Sequence, residues 1–216
     1  MLRPEYITGL DLGQQSDPSA LAILERTGPQ RIYAVRHLER YALGTPYIGL
    51  PLDPGIRERV KGLMTRQPLP GSTLVIDQTG VGRPVVDSFS AISMPVAIVP
   101  VTITSGQTHR PEGQGWYVPK KDLVGTLQML LQSGRLLIAS SLPLADTLLA
   151  ELRNFKVKIT TAANETFGAW REGEHDDLVL AVALACWVGE QASTDPAAIS
   201  SEAPEQRSPF ASKRAW

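Results

Sequence analysis

The stretch HDDLVLAVALACWVGEQ (175–191) sets two aspartates in front of a segment that is apolar at nearly every position. A helix with apolar residues all round has no solvent face, so it belongs in the interior, packed between other elements. Its opening acids, Asp176 and Asp177, therefore enter at the edge of a buried region. Two further aspartates stand in the same kind of setting. Asp11 ends the apolar run EYITGLD (5–11), and Asp77 ends STLVID (72–77), just before TGVG.

The segments between these acids set the architecture. EYITGLD (5–11), ALAILER (20–26) and QRIYAVRHLE (30–39) are separated by short turns rich in Gly, Pro, Asp and Gln, which reads as an antiparallel three-strand meander. Residues 53–67 carry Ile56, Val60, Leu63 and Met64 on one helical face, with Asp53 and Pro54 expected as N-cap and first-turn proline. STLVID, a helix-like VVDSFSAI (85–92) and the wholly apolar MPVAIVPV (94–101) form a strand–helix–strand unit, which is a right-handed parallel crossover with both faces covered. TSGQTHRPEGQGW (104–116) is expected as a long loop, followed by a helix from Lys120 to Leu131, a short extended run RLLIA (135–139) and an amphipathic helix over 143–155. KVKITTAANETFGAW (156–170) reads as a hairpin turning near Ala163–Glu165. The fold class is α/β: a mixed central sheet, meander plus parallel strands, flanked by helices. Residues 1–192 form one domain, and the Ser/Ala/Pro-rich 193–216 is predicted to be a disordered tail.

Composition narrows the function classes. With 43% hydrophobic and 20% charged residues, the 216-residue chain can bury a real core. A balance of 21 basic against 22 acidic residues excludes a polybasic arm as the main nucleic-acid device, although a neutral total can hide a local basic face. A single cysteine, Cys186, excludes a disulfide framework and a thiolate zinc cluster. No apolar run reaches the roughly 18 residues of a membrane span, and MLRPEYITGLDLG lacks a signal peptide's apolar stretch, so a soluble intracellular protein is expected.

The three acidic positions carry the chemistry. If strands 5–11 and 72–77 are neighbours, Asp11 and Asp77 share the crevice at the strand ends, where open α/β sheets bind ligands. Carboxylates packed so closely raise one another's pKa unless a cation is present. Hard divalent cations such as Mg²⁺ suit a set of carboxylates with no His or Cys. Two such ions about 3.5–4 Å apart can clamp the attacking and leaving oxygens of a phosphodiester displacement.

The order meander-with-Asp, strand-with-Asp, terminal helix-with-Asp resembles RNase H-like (RuvC-like) nucleases, and more closely the nuclease domain of tailed-phage terminase large subunits. The stretches that carry the resemblance are GLDLGQQSDPSALAIL (9–24), VIDQTGVGRPVVD (75–87), WYVPKKDLVGTLQMLLQSGRLLIA (116–139) and, most tellingly, HDDLVLAVALA (175–185). The resemblance implies a metal-dependent endonuclease that cuts concatemeric double-stranded viral DNA in the host cytoplasm, using Mg²⁺ or Mn²⁺ with two ions expected. It implies Asp11, Asp77 and Asp177 as metal ligands, with Asp176 as a fourth catalytic acid or a helix cap. Consecutive helix residues point about 100° apart, so Asp176 and Asp177 cannot serve one ion alike. Asp17, in QSDPSA, also recurs at this place in the family, its alternative being an Asp-Pro turn. An ATPase motor, a small terminase and a portal protein are the implied partners.

Candidate DNA contacts are Arg83, after Gly80 and Gly82; Lys120 and Lys121, at a helix start where the dipole disfavours cations; and Lys156 and Lys158, alternating on the predicted hairpin. For each, a solvated side chain is the alternative. Trp116, Tyr117 and Trp170 read as core or rim, His175 as a cap or proton shuttle, and the sequon at Asn164 as a chance match. No G-x-x-x-x-G-K-[ST] motif occurs, so the chain is not expected to translocate DNA alone. Three other readings stay open. One is a RuvC-like Holliday junction resolvase. Another is a non-catalytic packaging or docking domain. GLDLG also resembles the phosphate loop of sugar kinases and actin, which the chain length disfavours.

Overall fold

The computed structural model describes residues 3–13, 17–159, 165–168 and 175–191. Strands β1 (Glu5–Asp11), β2 (Ala20–Thr27) and β3 (Ile32–Arg40) form the expected antiparallel meander. After α1 (Ile56–Met64), β4 (Thr73–Asp77) pairs parallel to β1 and, past α2 (Arg83–Ser90), β5 (Ala97–Thr104) pairs parallel to β4. Next come β6 (Arg110–Glu112), β7 (Gly115–Pro119), α3 (Lys120–Gln132), β8 (Leu136–Ile138) and α4 (Ala145–Asn154). The eight strands lie in the order β6-β7-β5-β4-β1-β2-β3-β8, with β1 and β4 at the centre. β9 (Lys156–Ile159) and β10 (Glu165–Gly168) make a separate antiparallel pair, and α5 (Asp177–Gln191) is the last helix.

Strand alternation divides the apolar residues between two cores. Ile7, Ala22, Leu24 and Val75 face a cluster built on α3, α4 and α5. Leu10, Leu21, Ile23, Leu74 and Ile76 face the opposite cluster with Val60, Met64 and Phe89 of α1 and α2. Helix α5 is buried along almost its whole length, as its apolar circumference requires. Its contact with β1 is backbone against backbone. A Cβ at Gly9 would fall inside the carbonyl oxygen of Ala181, so glycine is what lets the helix lie directly on the central strand.

Polar groups lock the C-terminal end of α5. Arg26 donates to the carbonyl of Gly189, Arg31 donates to that of Glu190 at 2.6 Å, and Tyr33 donates to the Glu190 carboxylate at 2.8 Å. Arg135 adds an ion pair to Glu190 at 2.9 Å. Cations at a helix C-terminus complement its dipole and satisfy its last carbonyls.

Two local expectations are corrected. Helix α1 starts at Ile56 with Gly55 as N-cap and no capping side chain, because Asp53 is held in a reciprocal backbone bridge with Leu50 instead. The predicted loop 104–116 contains a strand hairpin. Arg110–Glu112 pairs with Gly115–Tyr117 across Gly113, whose φ of +58° permits the turn, and β7 adds in parallel to β5. That edge is polar and short, so it carries no alternation to read. The turn of the 156–170 hairpin, Trp170 and the segment 193–216 lie outside the described residues, as does Asn164. Among the described residues, no helix is long and apolar enough to cross a membrane.

Gly9→Ala is expected to lift α5 off β1 and to destabilise the protein by at least about 2 kcal/mol, because the clash is with fixed backbone. Urea unfolding followed by circular dichroism would measure the loss.

Candidate functional site

β1 and β4 run parallel with Leu10 opposite Ile76, so the next residue of each strand, Asp11 and Asp77, stands side by side at the carboxyl end of the sheet. Both continue the alternation of Ile7, Gly9 and Val75 and so share the face covered by α5. The N-terminus of α5 arrives at the same end and brings Asp177. All three are buried, at 8%, 5% and 3% exposure respectively.

Their electrostatics follow from that burial. The Asp11 carboxyl is held well above the usual carboxylate range, first by desolvation and then by the charges of Asp77, Asp177 and Asp176, with Lys120 opposing. Burial pushes Asp77 up to about 6, against hydrogen bonds from Thr79 and the charge of Lys120. Burial likewise lifts Asp177 to about 6, opposed by Arg40 and His175.

The surrounding groups fix these acids in place. Asp77 Oδ1 accepts the Thr79 N–H at 2.7 Å, closing a tight turn that runs on through Gly80 and Gly82, whose φ values of +80° and +79° favour glycine. Thr79 Oγ1 in turn accepts the Ile103 N–H at 2.7 Å, which ties this turn to β5. Asp176 pairs with Lys120 Nζ at 3.1 Å, so the first residue of α3 stands beside the acids. His175 Nδ1 lies 3.8 Å from the exposed Asp17.

Lys121 and Arg83 have contacts away from the acids. Lys121 donates to Gln107 at 2.5 Å. Arg83 is 67% exposed and 3.9 Å from Glu112. Lys156 and Lys158 occupy alternate positions of β9, opposite Gly168 and Thr166. Trp116 packs against the core edge-on to Trp187 at 5.6 Å, and Tyr117 lies under Arg110 at 4.2 Å, so both have structural partners.

Sequence reading missed Arg40 and Glu151. Arg40 ends β3 and lies 3.1 Å from Asp177 Oδ2 while hydrogen-bonded to Glu151. Glu151 is a buried acid on α4, one helical turn after buried Leu148. An acid on the apolar stripe of an amphipathic helix is the signal that marks it.

The donor set suits a hard divalent cation: buried oxygen ligands, mutual repulsion, and Asp177 Oδ2 without a hydrogen-bond partner despite its closeness to Arg40. Among the described residues, no three His, Cys, Asp or Glu side chains are already gathered into a metal cage.

Known proteins can now be set beside this geometry. No protein-family profile matches the chain. The terminase large subunits of Thermus phage G20c and Thermus virus P23-45 are each 28% identical over 187 residues, covering 85% of this chain. The chain spans about a third, 32%, of the length of those relatives. The large terminase nuclease of phage G20c with bound magnesium superposes with a TM-score of 0.61 at 25% identity, over 86% of this chain and 82% of that one. The same nuclease with bound cobalt gives 0.60 at 26% identity, over 85% and 80%. The SPP1 large terminase nuclease domain with bound Mn, at 0.52 and 11% identity over 84% of each chain, shares the fold. The chain has the RNase H-like fold of phage large-terminase nuclease domains.

Protonation of these acids sets the sign of a stability change. A folded-state pKa near 6, against 3.8 ordinarily, means the native state binds more protons, so this contribution is favourable at low pH and is lost as pH rises through about 6. Asp77→Asn is therefore expected to stabilise the metal-free protein at pH 8 by about 1–3 kcal/mol, with a smaller gain at pH 5. Thermal unfolding at the two pH values, with chelator present, measures it.

Proposed function

We propose that this chain is the nuclease domain of a large terminase, a divalent-metal-dependent endodeoxyribonuclease that cuts viral DNA during genome packaging. The observation that carries this reading is the convergence of Asp11, Asp77 and Asp177, from two adjacent parallel strands and one buried helix, at one end of the sheet. The likeness to a large-terminase nuclease with bound magnesium or cobalt supports it.

In this reading Asp11, Asp77 and Asp177 hold Mg²⁺ or Mn²⁺, two ions in the full complement, and Asp176 is an auxiliary acid. A metal held there would supply Lewis-acid stabilisation of the phosphoryl oxygens and would lower the pKa of a nearby water. The protein's own part is positioning. Thr79 holds Asp77, α5 delivers Asp177, and Lys120 brings a positive charge to the cluster that can meet the scissile phosphate. Lys121, Arg83 and the β9–β10 pair with Lys156 and Lys158 are proposed to contact the DNA backbone. Residues 1–192 are the proposed nuclease unit, with 193–216 a tail. A motor domain, fused or in trans, with small terminase and portal, would place the work in the host cytoplasm.

Every relative and structure named above is a terminase, which favours this reading over a junction resolvase or a docking domain. Purified protein with Mn²⁺ is expected to nick or linearise plasmid DNA. Asp77→Asn is expected to abolish the activity, and Lys120→Ala to lower it by about 10–100-fold. Equal cleavage by wild type and Asp77→Asn would mark a contaminant and sink the assignment, and preference for a four-way junction would support the resolvase.

A further inference from the structure

The geometry points to Glu151 as a positioning residue for Asp177, acting on the helix backbone directly and on the carboxylate through Arg40. The inference rests on the reading of Asp177 as a metal ligand.

Glu151 is buried on α4 and addresses α5 with both oxygens. Oε2 accepts the N–H groups of Leu178 and Val179, at 3.1 and 3.2 Å. These are the two amides immediately after Asp177, and they belong to the first turn, where no intrahelical acceptor exists. Oε1 accepts from Arg40 Nη2, the same nitrogen that lies 3.1 Å from Asp177 Oδ2. The connections form a closed ring, from Glu151 to the backbone at 178–179, to Asp177, to Arg40 and back.

A cap alone would not need the charge. A glutamine oxygen accepts amide N–H groups as a glutamate oxygen does. What the carboxylate adds is competition for Arg40. One guanidinium is shared between two acids, so the negative charge on Glu151 limits how far Arg40 commits to Asp177. Neutralising Glu151 leaves Asp177 as the carboxylate paired with Arg40 among the described residues. An aspartate neutralised by an internal cation is a poorer ligand for an external one. Glu151 thus holds Asp177 in place and keeps its charge available.

The test is calorimetric titration of Mn²⁺ into the metal-free 216-residue chain, with thermal unfolding of each variant alongside. Glu151→Gln is expected to weaken Mn²⁺ binding by about 10–100-fold, the range seen when groups that orient metal ligands are changed. Leu152→Ala thins the packing of the same helix without touching Asp177 and is expected to lower the Tm while leaving Mn²⁺ affinity near wild type. Glu151→Asp keeps the counter-charge that Arg40 needs in the interior, so it provides the test if the glutamine variant does not fold. Its shorter stem cannot span both partners, and a loss of about tenfold is expected. Wild-type affinity in either Glu151 variant overturns the inference, as does an equal loss in Leu152→Ala. A wild-type protein that binds no Mn²⁺ overturns both this inference and the reading of the site. One that binds while Glu151→Gln binds equally overturns this inference alone.

Discussion

The rest of the structure depends on the backbone contact between α5 and β1 at Gly9. A helix with no polar face can exist in water only if it is wrapped, and here it is wrapped by the central strands on one side and by α3 and α4 on the other. The approach has to be close, because any side chain at position 9 would hold the helix away from the sheet. With α5 seated there, its two ends fall at opposite ends of the central strands. The C-terminal end meets Arg26, Arg31 and Arg135, and the N-terminal end meets the acids. Both placements agree with the helix dipole.

That seating sets the electrostatics of the site. Asp11 and Asp77 are brought together by strand register, and Asp177 is added by the helix. Burial raises all three carboxyls, and neighbouring acids raise Asp11 and Asp177 further, so this corner of the molecule is held against its own preference by the surrounding packing. Partial positive charge at the α5 N-terminus and the cations Lys120 and Arg40 offset the repulsion only in part. Under the proposed function, a bound cation would relieve this repulsion. The near-neutral total of 21 basic and 22 acidic residues says little about DNA, since a total does not show where the charges lie.

Much of this was legible beforehand, and the misses have physical causes. The meander, the parallel β4–β5 unit and the buried last helix follow from periodicity, because those segments are apolar and long enough for their pattern to be read. The β6–β7 hairpin was not legible, since Arg110–Glu112 is polar, short and at an edge. The α1 cap was misplaced because Asp53 had two possible uses, capping or closing a turn with Leu50, and local sequence does not say which is made. Arg40 and Glu151 escaped notice because their meaning is relational. Each looks like an ordinary charged residue on its own element, and only their meeting with Asp177 makes them part of one group.

Sequence alone determined which residues would be carboxylates at the ends of buried elements, and that a helix apolar all round must be enclosed. Those are local consequences of residue type and spacing. Tertiary structure decided which of the candidate cations stands with the acids. Lys120 does, because α3 begins beside α5. Lys121 and Arg83 do not: a one-residue step around α3 turns Lys121 to Gln107, and the turn after β4 carries Arg83 out to an exposed position near Glu112. Structure also decided that Arg40 is shared between Asp177 and Glu151. That sharing depends on where packing puts the end of β3 and the later part of α4, with Arg40 and Glu151 separated by 111 residues of chain, and it is written in no short stretch of the sequence.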